Sequence, residues 1–270
     1  MTIQAQFPDE QSVEGAFTRQ PDAFTDWVTA NGSSGYPAAS GRYHLYVSWA
    51  CPWAHRTIIV RKLKKLEDVI GMTVVDPIRD ERGWAFREGP GHSLDHINGF
   101  QFLSQAYKAT DPNYRGRFTV PVLWDTVTKR IVTNSDDDLM RMFNGEFNRF
   151  TESMIDLYQE GIRKEIDDLN TFIYENVNDG VYRAGFATSQ QALNEPCCAS
   201  STPSINSRTG WRANATSSAH NSSKPIGACS SPSCVSTPST TAISSATSDG
   251  SSTTRTSSAT WSDAPGSARF

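Results

Sequence analysis

Val47-Ser48-Trp49-Ala50-Cys51-Pro52-Trp53-Ala54-His55-Arg56 is the stretch on which the fold turns. Upstream of it, Arg42-Tyr43-His44-Leu45-Tyr46-Val47-Ser48 is rich in aromatic and branched residues and predicts a strand. Downstream, Pro52 suits a first helical turn, and Ile58, Ile59, Leu63 and Leu66 recur at helical spacing. Cys51 therefore falls where a strand hands over to a helix. Unpaired N–H groups and the positive end of the helix dipole favour an anion there, and the thiolate is the nucleophilic form of cysteine. A thiol with a lowered pKa is expected. The competing reading of Cys51 is a small buried hydrophobe.

Working outward, Met72-Thr73-Val74-Val75 predicts a second strand, stopped by Pro77. Residues 77–117 form a Gly- and charge-rich stretch of little periodicity, long enough as a loop to suggest a task of its own. Thr119-Val120-Pro121-Val122-Leu123-Trp124 and Lys129-Arg130-Ile131-Val132 then read as a hairpin around Asp125-Thr126. A helix is expected from about Ser135 as N-cap, with Asp136, Asp137 and Asp138 in a first turn that favours negative charge. Residues 152–177 predict an amphipathic helix with Ile155, Tyr158, Ile162, Ile166, Leu169 and Ile173 on one face, ended by Asn178-Asp179-Gly180. Residues 1–40 are polar with isolated aromatics (Phe17, Phe24, Trp27) and read as an extended arm on the domain surface, the first dozen being equally readable as a disordered tail.

The chain carries a net charge of −4, which gives no electrostatic case for nucleic acid. No stretch approaches a membrane span, the N-terminus has neither the basic region nor the apolar run of a signal peptide, and nothing points to a metal site. The cytoplasm, where thiols stay reduced, is the expected compartment. Of the five cysteines, Cys197, Cys198, Cys229 and Cys234 all lie in a C-terminal region of different character. After Leu193 there is no leucine, methionine or tyrosine, and the text becomes Ser, Thr, Ala and Pro. Such a segment buries too little apolar surface to offset its chain entropy and is expected to be disordered.

Strand, Cys-Pro-x-x, helix, then a later Val-Pro before a strand is the plan of a thioredoxin-like domain. In that setting a cis Val120-Pro121 bond is expected, freeing the Val120 backbone to pair with a peptide ligand. Ala54 stands where a second redox cysteine would be, so a mixed disulfide at Cys51 needs an external thiol, for which glutathione is the obvious choice. Five motifs in order carry a closer resemblance: Cys51-Pro52-Trp53-Ala54-His55-Arg56, Gly83-Trp84-Ala85-Phe86, Thr119-Val120-Pro121-Val122-Leu123-Trp124-Asp125, Arg141-Met142-Phe143-Asn144 and Tyr182-Arg183-Ala184-Gly185-Phe186-Ala187. From about residue 40 to 195 the chain resembles the glutathionyl-hydroquinone reductases, the Xi class of the glutathione transferase superfamily.

The resemblance implies an α/β chain organised as an N-terminal arm (1–40), a thioredoxin-like glutathione-binding domain (41–147) with a long insertion at 77–117, the start of an all-helical glutathione-transferase domain (148–195), and a Ser/Thr-rich tail (196–270). It implies Cys51 as nucleophile and Tyr182 near the reacting sulfur. Glutathione would be held by Trp84, by Arg117, by the Val120 backbone, and by Ser135 and Asp136 at its γ-glutamyl end. The family commonly has Asn-Glu-Ser where this chain has Asn134-Ser135-Asp136, so hydroxyl and carboxylate are exchanged. Glutathione is the implied co-substrate and glutathionylated aromatics the implied partners, with a homodimer where the helical domain is intact.

The tail has a reading of its own. Ser codons read one base earlier give Leu, Phe, Ile or Val, and Thr codons give Asp, Asn, His or Tyr. Lys224-Pro225-Ile226-Gly227-Ala228-Cys229-Ser230 then permits Glu-Ala-Asp-Trp-Arg-Leu-Phe, and Ala246-Thr247-Ser248-Asp249-Gly250 permits Cys-Asn-Leu-Arg-Arg, both typical of the family's helical domain. A single-base loss near Glu195-Pro196 is expected on this reading, against the alternative of a genuine Ser/Thr-rich tail.

Overall fold

The computed structural model describes residues 8–80 and 82–194. The tail reading at 196–270 and the first residues of the arm lie outside the described residues. Among the described residues the strands and α-helices are, in chain order, β1 Val28–Thr29, β2 Tyr36–Pro37, β3 Tyr43–Val47, α1 Pro52–Leu63, β4 Gly71–Val74, α2 Ser104–Thr110, β5 Val122–Asp125, β6 Arg130–Thr133, α3 Asp136–Gly145, α4 Arg163–Ile173 and α5 Gly180–Phe186. Four strands form the main sheet in the order β4-β3-β5-β6, with β3 and β4 parallel and the β3/β5 and β5/β6 pairs antiparallel. A βαβ unit and a β-hairpin thus share one sheet, the thioredoxin-like arrangement that Cys-Pro and Val-Pro predicted.

All five residues of β3 are buried, as a strand covered on both faces requires. Its polar tips are satisfied. His44 Nε2 bonds Thr73 Oγ1 at 2.8 Å, and burial pushes the imidazole pKa down to about 4. The Tyr46 hydroxyl donates to Asp95 Oδ1 at 3.0 Å and accepts from Asn98 Nδ2 at 2.9 Å. Asp95 also accepts from the amides of Ile97, Asn98 and Phe100. One buried carboxylate therefore shapes the middle of the 77–117 insertion. The insertion is not uniformly irregular: it contains α2, which buries Ala106, Tyr107 and Thr110 and packs against β6. Seven residues are too short a span for periodicity to reveal.

α1 lies against α3. It begins at Pro52 with Cys51 as N-cap and carries Arg61 and Lys62 in its last turn, where positive charge suits the dipole. α3 begins after Ser135, whose hydroxyl accepts from the Asp138 amide at 3.3 Å, as expected of an N-cap.

The amphipathic helix expected over 152–177 is divided. Residues 151–159 are non-helical, a short 3-10 turn covers Glu160–Ile162, α4 follows, and a π turn at Tyr174–Asn178 leads into α5. Side chains compete with the helix here. Thr151 and Ser153 hydroxyls donate to the carbonyls of Lys64 and Leu63 at the end of α1, and Asn144 bonds both Asp156 Oδ1 and the Leu157 amide at 2.8 Å. These bonds fix the segment as a connector. Asn178-Asp179-Gly180 does not end the helical run: Asp179 precedes α5 with helical backbone angles and no side-chain capping bond, and pairs with Arg183 at 3.4 Å. Of the expected apolar face, Ile155, Ile162 and Leu169 are exposed while Tyr158, Ile166 and Ile173 are half-buried, and Phe172, Val177 and Val181 outside that face are exposed as well.

The arm is packed rather than merely laid on the surface. Asp26 N donates to Val132 O and Asn134 N to Phe24 O, extending the sheet beyond β6. Phe17, Val28 and Ala38 are buried. Gln11 Nε2 donates to Phe186 O at 2.9 Å and Thr188 N to Gly15 O at 2.9 Å, so the arm also reaches the end of α5. Among the described residues no helix is long and apolar enough to cross a membrane.

Candidate active site

Cys51 sits one turn beyond the end of β3. Its amide donates to Ser48 O at 3.2 Å, and its carbonyl accepts the first helical bond, from His55 N at 3.0 Å. The side chain is half-buried and its Sγ donates to Val120 O at 3.4 Å. Val120 precedes Pro121 through a cis peptide bond, as expected. The strand-to-helix turn and the Val-Pro turn thus meet at the sulfur.

The electrostatics correct one expectation. The Cys51 thiol is pushed above its ordinary pKa, not below it, because burial outweighs everything else. The amides of Ala54 and Trp53 and the charge of Arg19 favour the anion, and the negative charge of Asp136 opposes it. The sulfur makes no full capping hydrogen bond to α1, so the helix start acts on it only weakly.

Tyr182 stands close by. Its ring lies 5.9 Å from that of Trp53 and 5.9 Å from that of Phe186. Burial raises its pKa first and the Cys51 charge second. Asp136 is nearly buried, paired with Arg56 at 3.0 Å, and burial pushes its carboxyl up to about 6. Ser135 is occupied with capping α3, and its amide donates to Thr133 Oγ1 at 3.0 Å. Arg117 pairs with Glu10 of the arm at 3.4 Å, both side chains being close to fully buried. Its backbone is clamped by Gln20, which accepts from Arg117 N at 2.7 Å and donates to Arg117 O at 2.9 Å. Trp84 sits apart from this group: its carbonyl accepts from Leu103 N at 2.9 Å, and the Arg79 guanidinium lies 6.0 Å from its ring. Arg79 in turn feels the charges of Arg117 and Glu10, which links Trp84 to the others at one remove.

Three residues here escaped the reading of the sequence. Arg19 of the arm places its guanidinium 4.4 Å from the Trp53 ring centroid. Trp53 is the buried platform on which Arg19, Tyr174 and Tyr182 converge. Tyr174 opens the π turn, a feature often found at functional sites. The aromatic Phe17 flanking Arg19 was the one available signal that the arm is anchored.

The family described as "Glutathione S-transferase, N-terminal domain" matches residues 50–143. The chain is similar to the crystal structure of the Xi glutathione transferase ECM4 from Saccharomyces cerevisiae, with a TM-score of 0.69 and 33% identity, covering 77% of this chain and 70% of that one. This chain belongs to the Xi class of glutathione transferases. Among curated relatives of this Xi-class chain, glutathionyl-hydroquinone reductase YqjG of Escherichia coli is 47% identical over 194 residues, 69% of this chain and 59% of the relative. The glutathione-bound structure of YqjG matches with a TM-score of 0.65 and 44% identity, over 71% of this chain and 63% of that one. The chain therefore spans about 59% of the length of the curated relative it matches.

Proposed function

We propose that this chain carries the glutathione-handling half of a glutathionyl-hydroquinone reductase, with Cys51 as nucleophile. The observation that carries the reading is the meeting of Cys51 Sγ with the Val120 carbonyl beside a cis-proline, under the Trp53–Tyr182 wall. The name and the bound glutathione of the YqjG relatives support it.

In this reading the Cys51 thiolate attacks the glutathione sulfur of a glutathionylated hydroquinone. The new S–S bond forms as the aryl C–S bond breaks. The electron pair passes to the ring carbon, which takes a proton, and the hydroquinone leaves. A second glutathione thiolate then attacks the Cys51 mixed disulfide, releases glutathione disulfide and restores the cysteine. Val120 orients the peptide through its backbone, Arg117 and Trp84 hold the tripeptide, and Ser135 and Asp136 face its γ-glutamyl end. Tyr182 closes the side of the reacting sulfur.

Because burial holds the thiol up, the first step accelerates as pH rises above neutrality and levels off once the thiolate is complete. Cys51→Ala abolishes turnover and the glutathione adduct seen by intact mass. Turnover retained in that variant overturns the assignment.

The exposed apolar face of α4 and α5 favours a second reading, that of an impaired product which at most binds glutathione. It fits a chain whose text has left its reading frame near Glu195-Pro196. An adduct without turnover supports this second reading, and resequencing that runs uninterrupted through Pro196 ends the frameshift idea. The cytoplasm remains the proposed compartment.

A further inference from the structure

Arg19 is carried by a segment pinned on both sides. Phe17 is buried, 5.1 Å from the ring of Phe186. On the other side, the Gln20 amide donates to Glu10 Oε1 at 2.8 Å, while its side chain holds the Arg117 backbone. Between these anchors the Arg19 guanidinium lies 4.4 Å from the Trp53 centroid and 5.8 Å from that of Tyr182. Stacking on an aromatic face fixes a guanidinium without consuming any of its five donors. Among the described residues no hydrogen bond or ion pair to Arg19 accompanies these ring contacts. Its charge is therefore not cancelled by a direct partner, and Trp53 is two residues from Cys51.

We propose that Arg19 is the positioning cation of the site: the arm seats it on Trp53, where its charge favours the thiolate form of Cys51. The inference rests on Cys51 being the nucleophile. Several other charged or titratable groups face the same space. They are Asp22 from the arm, Arg56 on α1, Asp136 and Asp137 at the start of α3, Arg117 before β5, Tyr174 in the π turn and Tyr182 on α5. The acids among them oppose the anion, Arg56 is already paired with Asp136 and Asp137, and Arg117 is paired with Glu10, which leaves Arg19 as the cation whose charge favours it at Cys51.

The test is the pH dependence of iodoacetamide alkylation at Cys51, followed by mass spectrometry of its peptide in the full chain. Arg19→Gln and Arg19→Met are compared with wild type and with Arg19→Lys, thermal unfolding being measured on each. Losing the cation raises the alkylation midpoint in both neutral variants, so that the rate near pH 7 falls about three- to tenfold. Arg19→Lys retains at least part of the wild-type rate. The Met variant keeps an apolar stem over Trp53, so a shift shared with Gln reports charge and not packing. A wild-type midpoint in either folded neutral variant overturns the proposal, as does a shift that Arg19→Lys shows in full. Alkylation does not depend on which aromatic is reduced. A failure of the reductase reading appears as turnover surviving Cys51→Ala, a separate measurement.

Discussion

At the scale of single residues, two opposing forces act on each ionisable group of the site, and burial wins at both Cys51 and Asp136. Asp136 is only 14% exposed on its side chain and pairs with Arg56, yet its carboxyl is raised to about 6. A carboxyl whose pKa is raised by folding stabilises the fold at low pH, and that contribution is lost as pH rises through the folded value. Asp136→Asn should therefore stabilise the protein above pH 6 by roughly 2 kcal/mol, an advantage that disappears by about pH 4. Denaturant unfolding of both proteins across that range checks it, and an advantage independent of pH would refute the cause given.

At the scale of elements, the arm is the part whose role differs most from what the sequence suggests. Its contact with α5 depends on Gly15, which has φ +85°. A Cβ there would come within 2.6 Å of Thr188 Oγ1 and 3.0 Å of Ser189 N. Gly15→Ala should loosen this junction by about 1–3 kcal/mol, read as a roughly five- to 150-fold faster hydrogen exchange at the Thr188 amide with core exchange unchanged. What could be read from the sequence was local. The strand before Cys51, Pro52 at the helix start and Ser135 as N-cap follow from residue types next to one another, and the cis Val120-Pro121 bond from the order of Cys-Pro and Val-Pro along the chain. What could not be read depended on distant partners. Arg19 joins the site only because Phe17 and Gln20 find Phe186 and Arg117, and 151–157 leaves the helix only because Leu63 and Lys64 offer carbonyls. The net direction of the Cys51 pKa belongs to the same class, since burial is a property of the packed whole.

At the scale of the molecule, a well-filled core contrasts with an open flank. The sheet, α1 and α3 enclose Tyr43, Leu45, Val122, Leu123 and Phe143 with almost no exposure, while α4, the π turn and α5 leave Leu169, Phe172, Val177 and Val181 exposed. Polar replacement of an exposed apolar group changes stability by no more than about 0.5 kcal/mol in either direction. Phe172→Glu combined with Val177→Glu should accordingly lower binding of a hydrophobic dye and reduce aggregation while leaving the unfolding midpoint in place. A clear fall in that midpoint would mean the flank is covered in solution.

The bond from Gln11 to the Phe186 carbonyl spans 175 positions. A ribosome adding roughly 5–20 residues per second needs on the order of 10–35 s to traverse that interval. During synthesis the stretch from Gln11 to Phe17 therefore waits that long for its partner on α5.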